Sequence, residues 1–329
     1  MTTNEDPEVR RIIQDLRSAY IPNHAYRKLE GCFRKELAQR RADLADGVVS
    51  KPRSIALIGA SGSGKTTAIK HLIRNNSDRL QTDPAQETCE WISLQIPSPA
   101  TMKSVGNTVL QAAGYPLNRD KPASTIWDMA RQQLMYRQTL FVHLDEAQDL
   151  TRFQTENERR SVVNTLKSMM ENSRWSVGLI LSGTPELTEI INQGPQLSRR
   201  LYPIETDRLD EHRDTGAVID LIKRYAARAR VGHEDGLAHE NFAQRLIHAA
   251  DSEFGLLAEL VVQSISEALL SEGLGVTLRQ SHFADVFHLR SAAVDGLNPF
   301  LATGFRRIDP RQVLDDGSRM TPPRPRSTR

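Results

Sequence analysis

Residues 59–66 read Gly59-Ala60-Ser61-Gly62-Ser63-Gly64-Lys65-Thr66 and fill every fixed position of the phosphate-loop motif G-x-x-x-x-G-K-[ST]. The motif directly follows the apolar run Ile55-Ala56-Leu57-Ile58. A buried strand therefore leads into the loop, and a helix is expected to begin near Lys65, which is the context that this motif requires. A glycine-rich turn that binds nothing is the alternative, but a complete motif in this context favours a phosphate site.

The motif also assigns roles to individual residues. Glycines let backbone N–H groups point at phosphate oxygens, and the N-terminus of the following helix favours negative charge. Lys65 is expected to reach the β- and γ-phosphates, and the Thr66 hydroxyl to occupy a coordination position on Mg²⁺. The sequence thus predicts ATP and Mg²⁺ as cofactors. The predicted nucleotide-binding residues are Gly59, Ala60, Ser61, Gly62, Ser63, Gly64, Lys65, Thr66 and Thr67.

A second apolar run, residues 140–144, ends in the acids Asp145 and Glu146. In phosphate-loop NTPases an acid at the end of a buried strand holds Mg²⁺, and a neighbouring glutamate polarises the attacking water. Two acids after a strand can also simply cap the next helix. Because the phosphate loop lies upstream, we assign Asp145 to the metal and Glu146 to the water, which predicts an ATPase.

The strand predicted over 175–181 ends in Ser182-Gly183-Thr184-Pro185-Glu186-Leu187. A polar side chain at the tip of a strand lying between the two motif strands would face the γ-phosphate. Thr184 is the first candidate and Ser182 the second. Thr184 could equally cap the helix whose first turn contains Pro185, because threonine is common at that position.

Two arginines, Arg199 and Arg200, precede a short strand predicted over 202–206. In ring-forming ATPases an arginine at this point reaches the γ-phosphate held by the neighbouring subunit. We favour Arg200 and then Arg199 for that role. An ion pair on the surface is the alternative.

Composition restricts the class of protein. The chain has 329 residues, 39% hydrophobic and 26% charged, with 43 Lys and Arg against 41 Asp and Glu. A net charge of +2 does not indicate a nucleic-acid binder, so any DNA contact would depend on local patches. The two cysteines have neither metal-ligand nor disulfide spacing, and no run is long enough to cross a membrane. A cytoplasmic protein without a membrane segment is expected.

The pattern of apolar residues divides the chain into four parts. Residues 1–53 read as a helical segment, in which the basic cluster of Arg34, Lys35, Arg40 and Arg41 forms either a solvated helix face or a contact to phosphates. Residues 54–208 alternate strands and helices and predict an α/β core with a parallel sheet between helices. Residues 209–290 contain only helical spacing. Residues 291–329 are rich in proline and arginine and read as an extended tail.

Taken together, these motifs resemble the AAA+ ATPase plan of a phosphate-loop core followed by a small helical lid domain. Within that plan the sequence is similar to the TniB/TnsC regulators of transposition. The similarity lies in Leu144-Asp145-Glu146-Ala147-Gln148, Ser182-Gly183-Thr184-Pro185-Glu186-Leu187 and Leu197-Ser198-Arg199-Arg200-Leu201. It implies an ATPase that oligomerises on target duplex DNA with ATP bound, as a ring or helical filament, and recruits a DDE transposase, often with a TniQ-type target selector.

The same resemblance implies where DNA would be contacted. In that family the DNA-facing segments follow the second strand and the next helix. The corresponding residues here are Met102, Lys103, Ser104, Asn118, Arg119 and Lys121. Contacts from such residues would be made to phosphates, so binding would be salt-sensitive and independent of DNA sequence. A solvated surface is the alternative for these six positions.

The sequence departs from the AAA+ plan at one point. Many AAA+ lids place an arginine near the start of the helix that begins here at Gly255, but this chain reads Gly255-Leu256-Leu257-Ala258-Glu259-Leu260. Slow hydrolysis that depends on the neighbouring subunit is therefore expected.

A secretion ATPase and a helicase-loading or replication-initiator ATPase are the alternative functions. The first would carry a membrane segment, and the second an added helix-turn-helix or partner-binding arm.

Overall fold

The computed structural model describes residues 6–83, 87–150, 152 and 155–312. These residues form two compact units. One contains the chain up to Ile21, Gly62–Gly64 and the chain from Arg208 onward, and the other contains Pro22–Ser61 and Lys65–Asp207. The predicted N-terminal segment, residues 1–53, is thus divided between the two units.

The first of these units is called the helical unit and contains helix α1 (Pro7–Ser18), and the second is called the α/β unit. The elements of the α/β unit are α2 (His24–Ala45), β1 (Ser54–Ile58), α3 (Lys65–Asn75), β2 (Thr82–Asp83), β3 (Thr88–Cys89), β4 (Trp91–Gln95), α4 (Met102–Ala112), α5 (Ala123–Tyr136), β5 (Phe141–Asp145), α6 (Glu156–Met170), β6 (Gly178–Gly183), α7 (Leu187–Gln193), α8 (Pro195–Ser198) and β7 (Leu201–Glu205).

Five strands form one parallel sheet in the order β4-β5-β6-β1-β7. As predicted, β6 lies between the strand before the phosphate loop and the strand that ends in the acids. Strands β1 and β6 are buried along their whole length, as expected for a parallel sheet covered by helices. The register pairs Leu57 with Ser182 and Ile58 with Gly183, which aligns the carboxyl ends of β1 and β6.

The strand predicted over 88–96 is interrupted at Glu90. Its first two residues form β3, which pairs antiparallel with β2, and only Trp91–Gln95 joins the main sheet. The buried Glu90 carboxylate accepts hydrogen bonds from Arg41 Nη2 at 2.6 Å and from Gln81 N at 2.8 Å. These long-range contacts explain a break that the apolar pattern alone did not show.

Helix α2 is attached to the sheet through a buried arginine. Arg40 is 1% exposed and donates hydrogen bonds to Ser50 O and Ser176 O, both at 2.9 Å. Its guanidinium carbon lies 5.2 Å from the Trp175 ring centroid. Neither predicted role of the basic cluster applies to Arg40, because its charge is enclosed by carbonyl oxygens and an aromatic face.

The helical unit consists of α1, α9 (Thr215–Ala229), β8 (Gly232–His233), α10 (Glu240–Ala249), α11 (Phe254–Glu272), β9 (Thr277–Leu278) and α12 (Gln280–Ser291). Its apolar residues form one core, in which α1 contributes Val9, Ile13 and Leu16. The α1 residues are therefore part of this core rather than of a separate N-terminal segment.

Helix α11 is long and apolar enough, by length and composition, to cross a membrane. In this fold its apolar residues pack in the core of the helical unit, where Leu260, Val261 and Ile265 are fully buried. The core helix of a globular domain satisfies the same criteria of length and composition, and we interpret α11 as such a helix.

Part of the predicted extended tail packs on this core. Among residues 291–312, Asn298, Phe300 and Phe305 are at most 2% exposed. The Phe300 ring lies 5.7 Å from that of Phe283 and 5.8 Å from that of Phe242, measured between centroids. Residues 313–329, which contain the remaining prolines and arginines of the tail, lie outside the described residues.

Candidate nucleotide-binding and hydrolysis site

The sequence motifs converge at the carboxyl edge of the parallel sheet. The phosphate loop follows β1, Asp145 ends β5 with Glu146 directly after it, and Ser182 and Gly183 end β6 with Thr184 directly after them. Since β6 lies between β5 and β1, these three strand ends are neighbours. Ligands of open α/β sheets bind at this edge.

The loop has the backbone and side-chain geometry of a phosphate cradle. Gly62 and Gly64 have φ of +84° and +91°, values that favour glycine. Lys65 begins α3 and is 7% exposed. Its ammonium group donates to Gly59 O at 2.8 Å and to Ala60 O at 2.9 Å, which holds the side chain along the loop. The residues present therefore fit a nucleotide phosphate.

The two predicted magnesium ligands are in direct contact. Thr66 Oγ1 donates a hydrogen bond of 2.9 Å to Asp145 Oδ2, although 79 positions separate the two residues. A hydroxyl and a carboxylate oxygen at this distance are hard oxygen ligands of the kind that Mg²⁺ takes together with phosphate oxygens. The donor set fits the ion.

A chain of hydrogen bonds, which the sequence did not reveal, extends from Asp145 across the sheet. Ser182 Oγ donates to Asp145 Oδ1 at 2.6 Å. His143 Nε2 lies 2.7 Å from Ser182 Oγ, and His143 Nδ1 lies 2.8 Å from Ser93 Oγ. Because the Ser182 hydroxyl proton points to Asp145, His143 Nε2 must donate to Ser182, and Ser93 donates to Nδ1.

Burial lowers the pKa of His143 to about 4, and the nearby Asp145 carboxylate partly opposes this shift. The imidazole is therefore neutral at pH 7, which agrees with the tautomer that the hydrogen bonds require. A single histidine inside the apolar run 140–144 was the only signal in the sequence. Of the two candidates at the strand tip, Ser182 is the one that contacts Asp145.

Glu146 has an unusual backbone and a partner that sequence reasoning missed. Its φ is +54°, a left-handed conformation that is uncommon for a residue with a side chain. Gln148 Nε2 donates to Glu146 Oε2 at 2.6 Å, and Gln148 Oε1 accepts from Thr184 N at 3.1 Å. The first candidate at the strand tip, Thr184, is thus connected to Glu146 through one carboxamide.

The Thr184 side chain interacts with the start of the next helix. A hydrogen bond from Thr184 lowers the pKa of the Glu186 carboxyl, and Leu187 N donates to Thr184 O at 2.9 Å. Helix α7 begins at Leu187, with Glu186 as the N-cap residue and no hydrogen bond from that cap's side chain.

The paired arginines lie between α8 and β7 and differ in their surroundings. Arg200 Nη2 lies 3.2 Å from Glu171 Oε1, and the two side chains are 30% and 26% exposed. Arg199 is exposed to solvent. The structure thus shows the ion pair that the sequence left as an alternative for Arg200.

The six positions considered for DNA contact differ in how far they are engaged by the fold. Lys103 forms an ion pair with Asp120, which connects the start of α4 to the loop before α5. Ser104 completes the capping box of α4, and Met102 packs partly against the core. Asn118 and Arg119 are exposed, and Lys121 is half-buried.

The sequence matches the family model described as "Bacterial TniB protein" over residues 37–211, which is more than half of the chain. That range contains the phosphate loop, both acids, the strand tip and both arginines. The chain belongs to the TniB family. A search of curated proteins found no match.

Several solved structures are similar in fold to the TniB-family chain described here. The chain is similar to Cdc6p of Pyrobaculum aerophilum, with 12% identity, a TM-score of 0.55, and coverage of 82% of this chain and 69% of that one. It is also similar to the ORC1 protein of Aeropyrum pernix, solved in complex with DNA, with 13% identity, a TM-score of 0.58, and coverage of 86% and 69%. At these identities the similarity shows the fold alone, and it confirms the predicted α/β fold of a phosphate-loop NTPase core. With its phosphate loop and family, the chain is an ATPase.

Proposed function

We propose that this TniB-family protein is an ATP-dependent, DNA-binding regulator of transposition. The observation that carries the proposal is the family match over residues 37–211. It is supported by the contact between Thr66 and Asp145, the two residues that are expected to hold magnesium. With ATP bound, copies of the chain assemble on duplex DNA, as a ring or a helical filament, and recruit a DDE transposase, together with a TniQ-type target selector.

The proposed chemistry assigns one task to each side chain. Mg²⁺, when bound to ATP, neutralises developing charge on the phosphates. Thr66 and Asp145 would hold that ion, and Lys65 would bind the β- and γ-phosphates. Glu146 would orient the attacking water and accept its proton. Ser182 and Thr184, at the end of β6, would lie towards the γ-phosphate.

Arg200 is proposed to complete the site of a neighbouring copy. An arginine supplied in this way stabilises charge on the transferring phosphoryl group and contributes a large part of the rate. Glu171 holds the Arg200 guanidinium at 3.2 Å in the single chain, so assembly would exchange this half-exposed ion pair for a phosphate. Arg199 is the second candidate. Hydrolysis would then disassemble or reposition the oligomer.

The test measures self-association by light scattering and duplex binding by gel shift, each with ATP, with ADP and without nucleotide. We expect ATP to promote assembly and binding that is indifferent to DNA sequence. Glu146→Gln should reduce hydrolysis to a slow residual rate while it strengthens assembly. Equal assembly and equal DNA affinity in the three nucleotide conditions would contradict the proposal. If ATP does promote assembly and DNA binding, stimulation of a DDE transposase from the same genetic element would identify the partner.

The arginine role has its own test, based on mixing two inactive variants. Arg200→Ala should reduce hydrolysis at least tenfold without changing ATP binding, since an arginine supplied in trans contributes about 10³-fold or more in related enzymes. Mixing Arg200→Ala with Lys65→Ala should restore part of the activity, because one mixed interface contains an intact loop and an intact Arg200. No recovery on mixing would place Arg200 outside the neighbour's site, and Arg199→Ala is the matched comparison.

A cytoplasmic location is part of the proposal. It agrees with the free thiols of Cys32 and Cys89, since cytosolic proteins keep their cysteines reduced. Cell fractionation followed by detection of the chain in the soluble and membrane fractions tests it.

A further inference from the structure

The connection between β5 and β6 at the carboxyl edge of the sheet contains a side chain to which no role has been assigned. Gln148 lies in the single 3-10 turn Ala147–Leu150 that follows Glu146. Its carboxamide is held at both ends, by Glu146 Oε2 at 2.6 Å and by Thr184 N at 3.1 Å. The carboxylate can only accept and the backbone N–H can only donate, so only one orientation of the carboxamide satisfies both partners.

The backbone around Gln148 is shaped to admit this side chain. A Cβ atom built on Gly183 would lie 2.5 Å from Gln148 Oε1, closer than atoms approach without displacement. Gly183 O also accepts a hydrogen bond of 3.1 Å from Gly59 N, the first residue of the phosphate loop. The glycine at the end of β6 thus has a side-chain partner on one side and the loop on the other.

The hydrogen bond leaves half of the Glu146 carboxylate available. Gln148 occupies Oε2, and no residue among 6–83, 87–150, 152 and 155–312 donates to Oε1 in this structure. A carboxylate fixed by one oxygen keeps the other for a water molecule. The left-handed backbone of Glu146, with φ of +54°, costs free energy, and the hydrogen bond from Gln148 to Glu146 Oε2 offsets part of that cost. Strained backbone of this kind is common at catalytic positions.

We propose that Gln148 is a positioning residue for ATP hydrolysis, which holds Glu146 in the orientation that accepts the proton of the attacking water and ties it to the tip of β6. The inference rests on the proposed role of Glu146. Gln148 contacts neither nucleotide nor metal in this scheme. Its loss therefore affects the chemical step, which Glu146 serves, and leaves nucleotide binding to Lys65 and Thr66 unchanged.

The variants separate the two halves of the contact. Gln148→Met keeps the length of the side chain and removes both hydrogen bonds. Gln148→Glu can still accept from Thr184 N but opposes a second carboxylate to Glu146. Gly183→Ala pushes the carboxamide away without changing it. Gln132→Met, on the exposed face of α5, is the matched control for the same change of side chain.

The experiment measures single-turnover hydrolysis with saturating magnesium and ATP, and equilibrium binding of a fluorescent ATP analogue, on the full chain. We expect Gln148→Met to lower the rate about tenfold with the Kd of the analogue within twofold. Gln148→Glu should hydrolyse ATP no faster than Gln148→Met, and Gln132→Met should match the unaltered protein. If Gly183→Ala unfolds at the same temperature as the unaltered protein, it should hydrolyse ATP at the reduced rate of Gln148→Met. If it is less stable, the two Gln148 variants alone decide whether Gln148 positions Glu146.

A double variant distinguishes positioning from a general structural role. If Gln148 acts through Glu146, then Glu146→Gln combined with Gln148→Met should hydrolyse ATP as slowly as Glu146→Gln alone, within twofold. Three results would overturn the inference. The first is an unchanged hydrolysis rate for Gln148→Met, the second is a loss of nucleotide affinity in Gln148→Met as large as its loss of rate, and the third is a further tenfold loss of rate in the double variant. Full activity of Glu146→Gln would instead overturn the proposed role of Glu146 itself.

Discussion

At the scale of single residues, hydrogen-bond directions define what each side chain at the carboxyl edge does. Asp145 accepts from Thr66 through one oxygen and from Ser182 through the other. The carboxylate is thereby oriented before any metal arrives, and preorganisation of this kind lowers the free energy needed to form the site.

Lys65→Ala should weaken ATP binding about tenfold to a hundredfold, because a charge-assisted hydrogen bond contributes about 1.5–3 kcal/mol. Isothermal titration calorimetry measures this. The matched control is Lys70→Ala, an exposed lysine one turn further along α3, which should bind ATP as the unaltered protein does. An equal loss in both variants would show that the net charge of α3, rather than Lys65, determines affinity.

Ser182→Ala should weaken ATP binding about fivefold in the presence of Mg²⁺ and leave it unchanged in EDTA. The reason is that Asp145 loses one hydrogen bond, worth about 1 kcal/mol, and only the metal-dependent part of binding relies on its orientation. Titration of a fluorescent nucleotide with and without metal gives both values. A loss of the same size in EDTA would assign Ser182 to the phosphates instead.

At the scale of elements, the carboxyl ends of β1, β5 and β6 place residues far apart in the chain in hydrogen-bonding contact. Residues that are distant in the chain also meet in the helical unit, where the segment after α12 brings Phe300 back to the core. Phe300 is fully buried against the rings of Phe242, Phe283 and Phe287. The chain after α12 therefore stabilises the helices that precede it.

Phe300→Ala should lower the free energy of unfolding of the helical unit by about 3–5 kcal/mol, since it removes a buried ring and leaves a cavity. Leu301→Ala is the control, because the Leu301 side chain is 48% exposed. This substitution should change the free energy of unfolding by less than about 0.5 kcal/mol. Urea unfolding followed by amide hydrogen exchange in α10 and α12 reports on this unit. Similar effects from both substitutions would contradict the packing described here.

At the scale of the whole molecule, an almost balanced charge has to be reconciled with the proposed binding to DNA. With a net charge of +2, long-range attraction to phosphates is weak, so binding would come from local contacts repeated over many copies. The proposed DNA-facing positions contain three cationic side chains, of which Lys103 is already paired with Asp120.

Arg119→Ala should reduce the slope of log K against log salt concentration by about 1 per bound subunit, because one phosphate contact is lost. Fluorescence anisotropy with duplex DNA at several salt concentrations in ATP measures the slope. Arg160→Ala is the control, an exposed arginine on α6 that pairs with Glu156 at 2.8 Å. An unchanged slope for Arg119→Ala would remove this residue from the DNA-binding surface.

The sequence by itself determined the local parts of this protein. The phosphate loop, the acid pair and the class of fold were readable because each depends on neighbouring residues and on the apolar character of a strand. The helix starting at Lys65 and the strand ending in Asp145 are such features. The tertiary structure alone decided which distant side chains meet. His143 with Ser182, Gln148 with Thr184 and Arg40 with Ser176 are 39, 36 and 136 positions apart. The order of the strands in the sheet and the packing of α2 bring these pairs within hydrogen-bonding distance, and neither is specified by residues that are neighbours in the sequence.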